Sequence, residues 1–182
     1  MEAPAAAHNQ AEFPLPSPAP QSSGHSFELT VDSPEQMREL GLRLAKLLRA
    51  GDLVMLTGEL GAGKTTLTRG LGEGLGVRGA VTSPTFVIAR VHPSLGDGPP
   101  LVHVDAYRLG GGLDDMEDLD LDVSLPESVI VVEWGEDKVE ELTDDRLHLL
   151  IHRAVGDTTD EVRHVTLTGV GERWVSVDLS SI

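Results

Sequence analysis

Along this chain of 182 residues the apolar positions follow two different periods. Alternation in SFELTVDS, Ser26 to Ser33, predicts a first strand. In PEQMRELGLRLAKLLRAG the apolar residues recur at three- and four-residue intervals, the spacing of a helix with one buried stripe. Asp32 or Ser33 is placed to cap it, Pro34 suits its first turn, and Gly51 follows its end. DLVMLTG is a short apolar strand, and KTTLTRGLGEGL reads as a helix after a glycine-rich loop. TFVIARV, LVHVDAY and VIVVEW are further strand-length runs rich in β-branched residues. EDKVEEL reads as a short helix. DRLHLLIHRAV and EVRHVTLTGV read as two late strands, antiparallel across the turn GDTTD. Strands alternating with helices, and apolar along most of their length, predict a largely parallel sheet covered on both faces. The first strand and the late hairpin make that sheet mixed.

Composition narrows this picture. The content of 40% hydrophobic and 3% aromatic residues demands a core of Leu, Val, Ile and Ala. With no Cys, disulfides, thiolate metal sites and cysteine nucleophiles are all excluded. Residues 1–24 hold five of the eleven prolines and only two charges, so they read as an extended or disordered tail ahead of a single domain over 25–182. The chain lacks a basic segment followed by an apolar one at its start, and no run is long and apolar enough to span a bilayer; a cytoplasmic protein with no membrane contact is expected. The net charge of −16 repels phosphate backbones, and no Lys/Arg cluster offsets it, so nucleic acid is expected to be met only through a partner protein.

The chemistry concentrates in LTGELGAGKTT. Gly58, Gly63, Lys64 and Thr65 satisfy G-x-x-x-x-G-K-[ST], between a predicted strand and a predicted helix. Bare backbone lets successive N–H groups turn inward and cradle phosphate oxygens. Lys64 brings a positive charge to the β- and γ-phosphates, the Thr65 hydroxyl suits Mg²⁺, and the helix N-terminus adds its dipole. Magnesium needs a further acid at a strand end. Asp105 closing LVHVD and Glu133 closing VIVVE both qualify, because ligands of open α/β sheets sit beyond the carboxyl ends of the strands.

Other patterns carry less. Gly74, Gly76 and Gly79 fit G-x-G-x-x-G but follow a helix, so they read as its C-terminus and the next loop. His148 and His152 have zinc-helix spacing, but Leu149, Leu150 and Ile151 between them read as strand. DDMEDLDLD, with six acids in nine residues, reads as a solvated loop or frayed helix. Asn9 is the only asparagine, so a guanine-reading Asn-Lys-x-Asp motif is absent and ATP is expected over GTP. No glutamine follows Gln36, so none can orient an attacking water as in signalling GTPases.

GELGAGKTTLTRGLGEGLG, VTSPTF, HVDAYRL and VVEWGE, in this order, resemble the TsaE (YjeE) family from about Phe27 to Leu167. These are bacterial P-loop ATPases needed to make threonylcarbamoyladenosine in tRNA. The resemblance implies a P-loop NTPase-like three-layer α/β fold, ATP with Mg²⁺, and a cytoplasmic complex with the TsaD and TsaB proteins. In that complex TsaD performs the threonylcarbamoyl transfer, and the ATPase supports turnover. Residue by residue, it implies that Gly61, Ala62, Gly63, Lys64, Thr65 and Thr66 bind the ATP phosphates, with Gly58 opening the loop. Thr65 and Glu133 would hold Mg²⁺, and Asp105 would be the essential Walker B acid beside it. Thr85 would be a switch-like hydroxyl near the γ-phosphate, and Trp134 would face the nucleotide or a partner. Glu136 and Arg163 are candidates for a late ATP contact. Two departures stand out: no Tyr follows SPTF, where VIARVHPSLGDGPP forms a longer Gly/Pro-rich loop, and Gly135 stands where the family often has Pro.

Two other functions compete. A small-molecule kinase would use the same phosphate loop, but it needs an arginine-bearing lid, and YRLGGGLDDMEDLDLD is acidic instead. A non-catalytic ATP-dependent switch would use the same binding residues.

Overall fold

The computed structural model describes residues 25–79, 81, 89–106, 119–134, 142–153 and 161–182. Seven strands form one sheet: β1 (His25–Val31), β2 (Leu53–Gly58), β3 (Ala89–His92), β4 (Leu101–Asp105), β5 (Val129–Glu133), β6 (Arg146–Arg153) and β7 (Arg163–Val170). Their order is β1-β7-β6-β2-β5-β4-β3. The four central strands, β6, β2, β5 and β4, run parallel, whereas β1/β7, β7/β6 and β4/β3 pair antiparallel. The late hairpin and the mixed character therefore match the sequence reading. The antiparallel β3 edge is an addition to it.

Burial explains this arrangement. Every residue of β4 and β5 is buried, as expected for strands in the middle of a covered sheet. In β6 the buried residues are Leu147, Leu149 and Ile151, and the alternate side chains are less buried. His148 and His152 thus share one strand face, as anticipated, and His148 Nε2 lies 2.8 Å from the Thr57 hydroxyl.

Helix α1 (Pro34–Ala45) and helix α2 (Lys64–Leu75) both pack on one face of the sheet. Of the two predicted caps it is Ser33 that serves: its hydroxyl accepts from the Gln36 N–H, while Gln36 Oε1 accepts from the Asp32 N–H. This reciprocal pair resembles a capping box. The helix ends at Ala45, earlier than the apolar periodicity, because residues 46–48 continue in tighter turns whose N–H groups bond three residues back. Met37, Leu40 and Leu44 face Leu67 and Leu71 in a core shared with Val54, Leu56, Val131 and Leu149. Gly41 and Gly70 let the helices touch: a Cβ at Gly70 would overlap the Arg38 carbonyl, and one at Gly41 the Leu67 carbonyl.

The opposite face carries a second cluster of Leu53, Met55, Val102, Val104, Ile130 and Val132. Among the described residues it is covered only by the short helix α3 (Leu121–Ser124) with Leu121, and by Leu119, Leu125 and Leu142 at its edge. The predicted helix EDKVEEL and turn GDTTD lie outside the described residues, apart from Leu142. After β7, the short helix α4 (Glu172–Val175) returns Trp174 into the first core. No helix among the described residues is long and apolar enough to cross a membrane.

Candidate functional site

Strand β2 lies between β5 and β6 at the centre of the sheet and ends at Gly58, where the glycine-rich loop begins. Gly58 sits so close to β6 that an added Cβ would come within 2.7 Å of the Ile151 carbonyl oxygen. Gly63 takes φ +108° as the cap residue of α2, a backbone state that side-chain-bearing residues rarely adopt. No side chain caps α2 and no acid occupies its first turn, so its leading N–H groups and dipole are left for an external anion.

Lys64 folds back through this loop. Its ammonium donates to the carbonyls of Gly58 at 2.7 Å and Glu59 at 3.0 Å, and lies 4.5 Å from the centre of the Trp134 ring. The side chain is 6% exposed, so the charge is held at the mouth of the loop rather than trailing in solvent. Trp134 is placed there by its backbone: φ is +60°, and its N–H donates to the Leu56 carbonyl at 3.2 Å. A left-handed conformation in a large aromatic residue is uncommon and is found where surrounding structure enforces it.

The two predicted acids meet. Asp105 and Glu133 are register partners on parallel strands β4 and β5, so their side chains emerge side by side on the face that also carries α2. Both are buried, Asp105 at 9% and Glu133 at 5% exposed. Glu133 Oε1 has no hydrogen-bond partner and lies 3.4 Å from His103 Nε2. This donor set fits a phosphate-bound magnesium ion. Among the described residues no three His, Asp or Glu groups converge, so a protein-only cage is not formed. Magnesium suits such a place because it takes one or two carboxylates and completes its shell with phosphate oxygens and water.

Of the other predicted site residues, Gly61, Ala62, Thr65 and Thr66 lie on the loop and the first turn of α2, with both threonines half-buried. Thr85 and Glu136 lie outside the described residues. Arg163, at the start of β7, donates from Nε to the Ala62 carbonyl at 3.2 Å and so braces the loop from a position far away in sequence. Two further arginines, Arg69 and Arg108, are near enough to the motifs in sequence to compete for the phosphates; Arg69 donates to the Val81 carbonyl at 3.3 Å, and Arg108 lies outside the described residues. Gly76 ends α2 in the left-handed conformation, with its own N–H and that of Val77 bonded back into the last turn, so GLGVRG is a helix terminus and not a dinucleotide fingerprint. A hollow of about 140 Å³ opens beside the loop between the cap residue Ser33 and Met37 of α1, Gly61 and Thr66, and Glu161 and Arg163. Nothing in the sequence signalled Ser33 or Met37 as part of the site, because they belong to a helix start with an ordinary capping pattern. Only the packing of α1 against α2 brings them to the loop.

Comparison with known proteins gives a consistent result. The family model described as threonylcarbamoyl adenosine biosynthesis protein TsaE matches residues 31–162, a stretch containing the loop and both acids. The tRNA threonylcarbamoyladenosine biosynthesis protein TsaE of Streptomyces coelicolor is 88% identical over 144 residues, covering 79% of this chain and 97% of that protein. The Bacillus subtilis protein of the same description is 40% identical over 144 residues, covering 78% and 85%. A crystal structure of Bacillus subtilis YdiB superposes with a TM-score of 0.64 at 34% identity, covering 83% of this chain and 90% of that one. The glycine loop, the paired acids and the sheet order thus occur together in a chain that belongs to the TsaE family.

Proposed function

We propose that this protein binds and slowly hydrolyses Mg²⁺-ATP as a partner of TsaD and TsaB in making threonylcarbamoyladenosine in tRNA, in the cytoplasm. The observation that carries the ATP reading is Lys64, an ammonium held at 2.7 and 3.0 Å by the carbonyls of an uncapped, glycine-built loop. From that position Lys64 turns toward the β- and γ-phosphates, while the N–H groups from Gly61 to Thr66 take the phosphate oxygens. The Thr65 hydroxyl and Glu133 would hold magnesium, with Asp105 beside them to accept from its water shell. Bound magnesium supplies charge neutralisation on the phosphate oxygens. Thr85 is proposed as a hydroxyl near the γ-phosphate, and Trp134 and Glu136 as further nucleotide contacts.

The chain has no glutamine beyond Gln36 to orient water; of the two arginines able to swing toward the phosphates, Arg69 is engaged with the Val81 carbonyl and Arg108 lies outside the described residues. An arginine supplied in trans contributes on the order of 10³–10⁵ in rate where it operates. Slow turnover alone and faster turnover with TsaD–TsaB are therefore expected, and the acidic surface makes docking weaken as salt rises. ATPase assays of the full chain alone, with TsaD–TsaB, and with candidate metabolite acceptors, across a salt series, test this. Lys64→Ala should abolish most nucleotide affinity. Unchanged binding and turnover in that variant would sink the site, fast partner-independent turnover would remove the need for TsaD–TsaB, and stimulation only by a metabolite would make the protein a kinase.

A further inference from the structure

Strand β4 reads LVHVD, and its third residue breaks the apolar run that leads to Asp105. His103 is 0% exposed, and neither ring nitrogen has a hydrogen-bond partner. An imidazole buried without partners carries a desolvation penalty that an aliphatic residue at the same place would not. In register His103 faces Val131, one step before the Asp105–Glu133 pair and on the same face of the sheet. The nearest complementary group is Glu133 Oε1, 3.4 Å from His103 Nε2, and this oxygen is also buried and without a partner. Two orphaned polar atoms thus face each other across adjacent strands, directly below the candidate metal position.

We propose that His103 is a positioning residue for Glu133: with the proton on Nε2, it holds Oε1 and thereby turns the second carboxylate oxygen outward to the metal. This rests on the reading of Glu133 as a magnesium ligand. The 3.4 Å separation is too long for a formed hydrogen bond; a small rotation of the carboxylate as it takes a metal closes it. Carboxylates that ligate metals are commonly fixed in this way by a hydrogen bond on their far oxygen, and loss of such a partner typically lowers metal affinity 10- to 100-fold. The His92 ring, on β3 opposite Leu101 of β4, is hydrogen-bonded to the Arg78 backbone and keeps a buried Nε2 without a partner, but it is His103 that lies 3.4 Å from Glu133.

The test uses the full chain with a non-hydrolysable ATP analogue and Mn²⁺ as the probe, read by electron paramagnetic resonance. Melting temperature and metal-free nucleotide affinity are measured on the same samples. His103→Leu should weaken Mn²⁺ about tenfold or more, leave metal-free nucleotide binding unchanged, and melt no lower than the parent. His103→Gln, whose amide N–H reaches about as far as Nε2, should recover most of the affinity, and His103→Asn, a shorter amide, should not. If the leucine variant fails to fold, the glutamine–asparagine contrast still decides. Parental Mn²⁺ affinity in the leucine variant, or equal affinities for glutamine and asparagine, overturns the proposal while a weakened Glu133→Gln keeps Glu133 as ligand. Parental affinity in Glu133→Gln overturns the ligand reading itself, and the positioning role with it.

Discussion

Lys64 and Trp134 are the residue pair on which the site can be watched. The ammonium lies 4.5 Å from the indole centre, within the distance at which a cation is attracted to a ring face, for about 0.5–2 kcal/mol depending on desolvation. Nucleotide phosphates compete for that ammonium with far larger charge, so Lys64 should leave the ring when ATP binds. The chain has only two tryptophans, and Trp174 is 1% exposed in the core, remote from the loop in sequence. In a Trp174→Phe background, emission from Trp134 should therefore shift on adding a non-hydrolysable ATP analogue, and Lys64→Ala should alter the starting emission and remove the shift. Emission that stays constant while calorimetry registers binding would show that the lysine keeps its place. The strand–loop–helix form of the loop was legible in sequence because it follows from local backbone chemistry. That Trp134 sits under Lys64 was not, since it depends on a left-handed backbone at the end of β5 and on β5 pairing beside β2.

At the scale of elements, the packing of α1 on α2 supports the loop, because α2 begins at Lys64 and α1 contributes Met37 to the hollow beside it. Two competing effects decide what an alanine does at Gly70. Helix propensity would favour alanine by about 1 kcal/mol. Overpacking against a backbone carbonyl, which cannot rotate away as a side chain can, costs about 3 kcal/mol at the upper end of its usual range. Gly70→Ala should thus destabilise the protein by a net of about 2 kcal/mol in urea unfolding. Neutral or increased stability would mean that the helices slide apart without penalty. The existence and starts of these helices, and the Gly76 end of α2, could be read from caps and periodicity, but the early end of α1 and the closest approach of the two could not. A glycine inside a helix looks like a propensity defect until its neighbour is known.

For the whole molecule, the C-terminal segment beyond the family match closes the core. Arg173 makes a two-pronged ion pair with Asp52 at 3.0 Å, donates to the Leu47 carbonyl at 2.7 Å, and stacks 4.4 Å from the Trp174 ring. It thereby ties α4 to the turn between α1 and β2. Removing one partner of a buried pair costs about 3–5 kcal/mol; Arg173 is 13% exposed and Asp52 also accepts from the Arg49 N–H, so about 2–3 kcal/mol is expected for Arg173→Ala. The double variant Asp52→Ala/Arg173→Ala should lose less than the sum of the two single changes in a denaturation cycle. Strict additivity would show that the pair contributes nothing as a pair.

What this sequence determined by itself is whatever short-range chemistry can specify. The strand–loop–helix at Gly58 to Thr66, the start of α1 at a cap of Asp32 or Ser33, the Gly76 terminus and the late hairpin each follow from backbone preferences and side chains a few residues apart. The mixed sheet was also legible, from the first strand and the late hairpin, although the antiparallel β3 edge was not. Tertiary structure alone decided which distant groups meet. Asp105 and Glu133 read as two strand-end acids among many, and only the β4–β5 register makes them a pair. His103 in LVHVD reads the same whether it fills space or holds a ligand. Arg163 reaches the Ala62 carbonyl only because β7 is folded onto β6 beside β2. Such contacts are set by the order and register of strands, which depend on burying the whole apolar surface at once and leave no local trace in the residues they join.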